Sequence, residues 1–260
     1  MLGLSPTRAQ RVAALRLCYD SPRAGNYHRA EVSLLNLDPI EGWARAELDR
    51  KNAAREQALR WSRELVRACA NSIRASHRRE FLEAERLLDQ ANVLNSQICT
   101  LLSDMGDLYW TGYVQDAQKE LVEAHTTYAL VQGRALPDPA QLGIAPAPFL
   151  NGLAEAVGEL RRYVLDRLRR GEVEGCERLL GAMDDIYSLL VTLDYPDALT
   201  GGLRRTTDST RGILEKTRGD LTLALRQEAL VQALRAAEGS VGGTAGQPVH
   251  LSDVPLGPVV

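Results

Sequence analysis

The chain of 260 residues is 45% hydrophobic, enough to bury a sizeable core, and only 5% of it is aromatic. Its formal net charge of -3 excludes the basic excess of a simple duplex-binding module, so nucleic-acid binding would require local clusters of arginine. No apolar run approaches the roughly 18 to 20 residues that cross a bilayer, so we expect no membrane partner. Ala, Leu, Arg and Glu dominate the sequence and favour an all-α fold.

The cysteines are too far apart to form a CxxC metal or redox motif. Their positions are Cys18, Cys69, Cys99 and Cys176. We interpret them as reduced thiols in the core of a cytoplasmic protein.

Residues 1–39 are interpreted as an N-terminal extension, although the first thirty hold five arginines against one acid, a composition that transit peptides share. The first helical territory follows them. From Trp43 to Met105 the chain contains neither glycine nor proline, so nothing forces the backbone out of a helix. Apolar residues recur at spacings of three and four from Leu59 to Ile73 and predict an amphipathic helix of about 35 residues. The polar stretch "SHRRE" at 76–80 interrupts it. A second helix, from about 81 to 102, completes a predicted hairpin.

A proline-rich segment joins this half of the chain to a second helical half. The segment 133–149 is rich in proline and predicts a loop with one short helical turn. Residues 239–260 have glycine and proline but no periodicity and are predicted to be disordered, which leaves one helical domain at 40–238. The remaining helices are expected at about residues 108–131, 148–170, 173–193 and 203–238.

Common catalytic motifs are absent from the sequence, which has no GxxxxGK[ST], GxGxxG, GxSxG or HExxH. The histidines His28, His77, His125 and His250 are scattered. Carboxylates are the better candidates, because hard cations such as Mg²⁺ take oxygen ligands and metal ions stabilise the oxygens of phosphodiester cleavage.

Two pairs of acids have the spacing that puts both members on one side of a helix. Glu120 and Glu123 are three apart on the third predicted helix, and Glu155 and Glu159 are four apart on the fourth. Such spacing also arises on ordinary solvated faces. The apolar stripe of the fourth helix in fact points away from Glu155 and Glu159, so periodicity alone would place both in water.

Basic and aromatic side chains supply candidate nucleic-acid contacts. The aromatics of "LYWTGY" could stack on unpaired bases, although aromatics near a helix start also serve as core or interface anchors. The candidate basic residues are Arg74, His77, Arg78, Arg79, Arg161, Arg162, Arg204 and Arg205, and the aromatic ones are Tyr109, Trp110 and Tyr113.

Four ordered blocks carry a family resemblance over about residues 45–230. They are "RWSRELVRACANSIRASHRREFLEAERLL", "KELVEAHTTYALV", "FLNGLAEAVGELRRYVLDRLRRGEVE" and "DYPDALTGGLRRTTDSTRGILEKTRGDL". The chain resembles the translin and translin-associated factor X (TRAX) family in its prokaryotic form. The resemblance implies an all-α bundle of seven helices, long and antiparallel, that assembles into a hollow homo-octamer and binds single-stranded RNA or DNA.

The TRAX branch of this family is a Mg²⁺-dependent endoribonuclease, and the resemblance implies the same site here. Glu120, Glu123 and Glu155 would bind Mg²⁺, with Mn²⁺ as an alternative, and Glu159 would be a fourth catalytic acid. Glu155 stands where the TRAX branch has aspartate, so its carboxylate reaches one methylene farther. "LYWTGY" replaces a basic, histidine-rich stretch of the translin branch.

Three hypotheses follow from the sequence. The first is a metal-dependent endoribonuclease acting on single-stranded RNA in a homo-oligomeric shell. The second is a non-catalytic single-strand binding protein, and the third is a helical scaffold with no salt-dependent affinity for nucleic acid.

Overall fold

The computed structural model describes the backbone of residues 36–242 and the side chains of residues 36–238. Helices and short connections account for this range, which contains no strand, and the prediction of an all-α fold is confirmed. The predicted extension at 1–39 lies almost wholly outside the described residues, as does the predicted tail from residue 243 onward. No helix in the described range has the length and hydropathy needed to cross a membrane.

Six long helices and three single turns follow one another along the described chain. Their bounds are α1 Asp38–His77, α2 Phe81–Leu101, α3 Gly106–Tyr109, α4 Gly112–Gln132, α5 Pro139–Leu142, α6 Pro146–Leu168, α7 Cys176–Val191, α8 Asp197–Thr200 and α9 Leu203–Gly242. The turn α5 is the one expected in the proline-rich loop, whereas the sequence did not predict α3 and α8. The helix α9 continues four residues past its expected end at Glu238.

By its contacts the chain divides after Glu47 into two units. The described part of the first unit is the N-terminal end of α1, whose side chains are mostly exposed. The second unit holds the core and all the candidate site residues. Cys69 and Cys176 are buried there as free thiols and Cys99 is partly buried, as the sequence predicted, while Cys18 lies outside the described residues.

The predicted hairpin of α1 and α2 is confirmed, and its turn has an unusual residue at the reversal. Arg79 has a φ of 63°, the left-handed conformation that usually falls to glycine. The Glu80 N–H donates to the Ala75 carbonyl at 2.9 Å, and the Arg79 N–H donates to the Ser76 carbonyl at 3.0 Å. These bonds satisfy carbonyls at the end of α1, and the Arg79 guanidinium pairs with Glu172.

The third long helix starts later than expected, at Gly112 instead of Leu108. Thr111 has extended backbone angles and separates the turn α3 from α4, so Trp110 lies at a corner instead of inside a helix. The Gln115 side chain donates to the Tyr109 carbonyl at 3.0 Å and holds this corner. The start from Leu108 was wrong because Thr111 and Gly112, both compatible with a helix boundary, were counted as helix interior.

The helix α6 packs against α4, α7 and α9. The predicted apolar stripe is present, with Leu153, Val157, Leu160 and Val164 buried. Asn151, Gly152, Ala154 and Ala156 on other sides of the helix are also buried, because neighbouring helices cover more of α6 than one face. The expectation that periodicity leaves Glu155 and Glu159 in open water was therefore wrong, since their side chains are only 34% and 24% exposed.

Candidate metal centre

Three carboxylates from two helices converge in the second unit. Glu120 and Glu123 come from α4 and Glu155 comes from α6, and one carboxylate oxygen of each lies within 4.8 Å of the others. Two oxygens bound to one Mg²⁺ at about 2.1 Å can be at most about 4.2 Å apart, so small side-chain movements would let all three bind one ion. An all-oxygen donor set also suits a hard divalent cation. We call these three residues the acidic cluster.

The close approach of α4 and α6 positions the acidic cluster. A Cβ on Gly152 would lie 2.6 Å from the Lys119 carbonyl oxygen and 2.7 Å from the Val122 Cβ, closer than such atoms come in proteins. Only glycine therefore allows the two backbones to meet at this point. Lys119 directly precedes Glu120, and Gly152 lies three residues before Glu155, so this contact fixes the distance between the acids of the two helices.

Burial and mutual repulsion shift the titration of the acidic cluster. Burial, followed by the charges of Glu120, Glu155 and Glu159, raises the pKa of Glu123 to about 8. Burial and the charge of Glu155 also raise the pKa of Glu120. A nearby cation would stabilise the ionised form of these carboxylates. Strongly shifted pKa values of this kind are typical of functional sites.

A lysine that the sequence analysis did not single out lies against the acidic cluster. The Lys119 ammonium donates to Glu155 Oε1 at 2.9 Å. Burial is the largest single influence and disfavours the charged lysine, but the hydrogen bond to Glu155 and the charges of Glu155, Asp116 and Glu120 together outweigh it, and the pKa of Lys119 is raised. Only its position next to Glu120 in "KELVEA" could have drawn attention to it.

Glu159 lies outside the acidic cluster. Its Oε2 is 2.5 Å from His77 Nε2 and 3.8 Å from Arg162 Nη1. The hydrogen bond with His77 lowers the pKa of Glu159, in contrast to Glu120 and Glu123. The His77 side chain is 6% exposed and its ring centroid is 6.0 Å from that of Tyr163, so this histidine is fixed within the subunit.

Two clefts meet at the acidic cluster. The first, the acidic cleft, is lined by Glu120, Glu123 and Glu155 together with Arg205, Thr206 and Thr210 of α9. The second, the Trp110 cleft, is lined by Trp110, Lys119, Asn151, Glu155, Arg205 and Thr206. Glu155, Arg205 and Thr206 belong to both clefts, so an extended ligand could occupy the two together.

Comparison with known proteins identifies the fold and the family. No family model matches the chain. An uncharacterized protein of Methanocaldococcus jannaschii is 33% identical over 192 residues, which cover 74% of this chain and 85% of that protein. AfC3PO in a duplex RNA complex is 35% identical with a TM-score of 0.67, over 72% of this chain and 97% of the AfC3PO chain. AfC3PO is built from translin/TRAX components.

This chain belongs to the translin/TRAX family. A structure of AfC3PO alone gives the same identity, 35%, and a TM-score of 0.68 over 72% of this chain and 98% of that one. NeC3PO in its apo form is 20% identical with a TM-score of 0.60, over 73% of this chain and 97% of that chain, and shares the fold. The resemblance drawn from the four sequence blocks is thus confirmed.

The candidate nucleic-acid residues of this translin/TRAX chain lie in several places. Around the α1–α2 turn, Arg74 and Arg78 are exposed, and Arg78 pairs with Glu80 at 2.6 Å. Arg161 pairs with Asp220 at 2.8 Å, and Arg204 pairs with Asp194 at 2.6 Å. Of the eight basic candidates, only Arg205 lines the acidic cleft.

The aromatic candidates separate into two environments. Trp110 is 63% exposed in its cleft, and its ring lies edge-on to that of Tyr109 at 5.1 Å and 88°. Tyr109 and Tyr113 are half-buried and pack against the core. Trp110 is therefore the aromatic that offers a free ring face, while its neighbours act as packing residues.

Proposed function

We propose that this translin/TRAX protein is a metal-dependent endoribonuclease that cleaves single-stranded RNA, with Mg²⁺ as its metal and Mn²⁺ as an alternative. The observation that carries the proposal is the acidic cluster, in which three partly buried carboxylates from two helices can reach one ion at the wall of an open cleft. A purely structural cluster would have no reason to collect three acids against one lysine, because burying a charge without a partner costs free energy.

Different residues of the site would bind the metal and the phosphodiester. Glu120, Glu123 and Glu155 would hold the ion, and Lys119 fixes one oxygen of Glu155 through its 2.9 Å hydrogen bond. A divalent ion bound there would polarise the phosphate and activate a water molecule. Arg205, exposed on the wall that both clefts share, is placed to contact the phosphate, for which its planar guanidinium is suited. Glu159, predicted as a fourth catalytic acid, lies next to the cluster and is not proposed as a metal ligand.

Nucleic acid as the ligand is supported by the relative AfC3PO, which has been obtained in a duplex RNA complex. The net charge of -3 shows no overall basic excess, so we infer that binding is local and involves the arginines at the clefts. Single-stranded RNA is the proposed substrate, and duplex RNA and single-stranded DNA are the comparisons that test it.

Assembly into a homo-oligomer, and specifically a hollow homo-octamer, is part of the proposal. Large apolar side chains are exposed along α9, where Leu223 and Leu230 are each 60% exposed and Leu234 is 56% exposed. Exposed apolar residues in rows are a feature of subunit contacts. Light scattering of the purified protein tests the number of subunits, and a monomer at all concentrations would contradict this part.

The decisive experiment incubates the purified protein with labelled single-stranded RNA in Mg²⁺, in Mn²⁺ and in EDTA. We expect cleavage with either metal and none in EDTA. The Glu123→Gln variant should bind RNA but not cleave it, and Glu64→Gln, the same change at an exposed position of α1, should cleave normally. Undiminished cleavage by Glu123→Gln, or equal cleavage in EDTA, would contradict the proposal.

One observation favours a second function, a non-catalytic single-strand binding protein. The Lys119 ammonium already neutralises Glu155, so part of the acidic cluster is stable without a metal. This alternative predicts measurable RNA binding together with full RNA stability over a long incubation in Mg²⁺ or Mn²⁺. The gel of the same incubation therefore separates the two functions.

A further inference from the structure

The Trp110 cleft has features that the metal site does not require. Trp110 exposes 63% of its surface and Leu199 of α8 exposes 68%, and both residues line this cleft. Exposed large apolar side chains within a concave surface offer contact area for a flat apolar group. The same cleft carries the guanidinium of Arg205 and the ammonium of Lys119, which attract phosphate.

The indole of Trp110 is held in place by its surroundings. The ring packs edge-on against Tyr109, and the Tyr109 hydroxyl accepts a hydrogen bond from the Gln118 side-chain nitrogen at 3.2 Å. Gln118 is itself buried. A flat side chain fixed in this way loses little freedom when a ligand stacks on its open face, which favours binding.

The polar floor of the Trp110 cleft is already occupied by internal hydrogen bonds. The Asn151 side-chain nitrogen donates both of its protons, to the Ala147 carbonyl at 2.9 Å and to the Thr200 carbonyl at 2.8 Å. The Thr206 hydroxyl donates to the Asn151 side-chain oxygen at 2.9 Å. These donors are not free to read the edge of a base, so recognition there rests on stacking and charge.

We infer that the Trp110 cleft is a subsite for one unpaired nucleotide next to the cleaved bond, with its base stacked on Trp110 and its phosphate on Arg205. The inference rests on the proposed function in one respect, because the cleft shares Glu155 and Arg205 with the acidic cleft. Stacking accepts every base, so the subsite selects for an unpaired nucleotide and tolerates any base identity. Bases inside a duplex are paired and cannot enter it.

Binding of a short single-stranded RNA, measured by fluorescence anisotropy in EDTA so that no cleavage intervenes, tests the subsite. Trp110→Leu should weaken binding at least about 5-fold, the effect of losing one stacked base, and Trp110→Phe should keep most of the affinity. Trp43→Leu is the matched control, because Trp43 is 73% exposed and lies outside the cleft. Affinity for duplex RNA should be the same in all four proteins.

A scan with abasic nucleotides sharpens the test. In the wild type, one abasic position should weaken binding by a factor similar to Trp110→Leu, and in Trp110→Leu the same abasic RNA should lose nothing further. Equal losses in the two proteins, or a wild-type scan in which no position matters, would overturn the subsite. A smaller particle for Trp110→Leu in light scattering, with single strands and duplexes weakened alike, would assign Trp110 to a subunit contact and also overturn it.

The subsite and the nuclease can fail separately. Normal stacking behaviour with no cleavage in Mg²⁺ would remove the nuclease and leave the subsite. Metal-dependent cleavage with identical RNA affinities for the wild type and Trp110→Leu would do the reverse. The charge contact has its own measurement, since Arg205→Gln should reduce the slope of log affinity against log salt by about one.

Discussion

Glu159 and the acidic cluster have opposite electrostatic surroundings, although Glu159 and Glu155 lie only one helical turn apart on α6. Glu159 is paired with His77 and lies near Arg162, and its pKa is lowered. One turn earlier Glu155 faces Glu120 and Glu123, where burial and neighbouring acids raise the pKa of Glu123 to about 8. Both groups are partly buried, so burial alone does not explain the difference.

The partners of each group decide what it can bind. Glu159 has a cationic or hydrogen-bonding neighbour within the fold and gains little from an added ion. The acidic cluster has three carboxylates against one lysine, and a divalent cation would relieve their repulsion. The contrast supports the proposal that the acidic cluster holds a cation, while the Glu159 pair is an internal contact.

The largest effect is expected from removing single acids of the acidic cluster, compared with removing Glu159. Glu120→Gln, Glu123→Gln and Glu155→Gln should each lower the cleavage rate by more than the roughly 10–100-fold typical of residues outside a metal's ligand set. They should also weaken Mn²⁺ binding in calorimetry. Glu159→Gln should leave Mn²⁺ binding intact even where it slows cleavage, and equal loss of Mn²⁺ affinity in Glu159→Gln would contradict the division into two groups.

Separating the two helices is expected to have the next largest effect. Gly152→Ala places a methyl against the Lys119 carbonyl, which is backbone and cannot turn aside, and should lower the free energy of unfolding by about 1–3 kcal/mol. Urea denaturation measures this change. Gly158→Ala on the same helix meets nothing within 4 Å and should stabilise the protein slightly. Equal stability of the two variants would show that the close approach is unimportant.

Breaking the internal pair should have a smaller effect. His77→Phe leaves Glu159 partly buried without its partner and should cost about 1–2 kcal/mol at pH 7. Because the folded-state pKa of Glu159 is lowered, its contribution is present above the unfolded pKa and is lost as the pH falls through the folded value. The difference between wild type and variant in urea should therefore shrink in acid. His77→Phe combined with Glu159→Gln should recover stability at pH 7, and a further loss would contradict the pairing.

The smallest expected effect is the pH dependence of the metal-free protein. Glu123 has a raised pKa in the folded state, so folding retains a proton that the unfolded chain releases, and stability falls as the pH rises from the unfolded pKa through about 8. Thermal melts in EDTA should show this decline, and Glu123→Gln should flatten it. Mg²⁺ should raise the melting temperature most at the alkaline end, and a pH-independent effect of Mg²⁺ would argue against binding at Glu123.

Periodicity was enough to predict the long helices, because few residues in them oppose the helix and the apolar stripes are regular. The stripe from Val114 to Val131 on α4 is buried as expected. The start of α4 was missed because a break of one residue at Thr111 has little effect on a helical pattern. Its consequence is large, since that break turns Trp110 outward into a cleft.

The contacts of the site residues could not be predicted from the pattern of a single helix, because they depend on how several helices pack together. The family resemblance pointed to Glu120, Glu123 and Glu155, but the wheel of α6 placed Glu155 in water because a wheel ignores the other helices that cover it. The contact of Lys119 with Glu155 joins residues 36 positions apart, and the contact of His77 with Glu159 joins residues 82 positions apart. Local spacing could not reveal them.

The exposed connection around α5 separates the two halves of the acidic cluster along the chain. Residues 134–136 are exposed, and this connection follows α4, with Glu120 and Glu123, and precedes α6, with Glu155. A protease cut there would leave two fragments, each carrying an incomplete ligand set. Under the proposed metal binding, reassociation of the fragments would respond to the concentration of divalent cation, because the ion would join ligands from both.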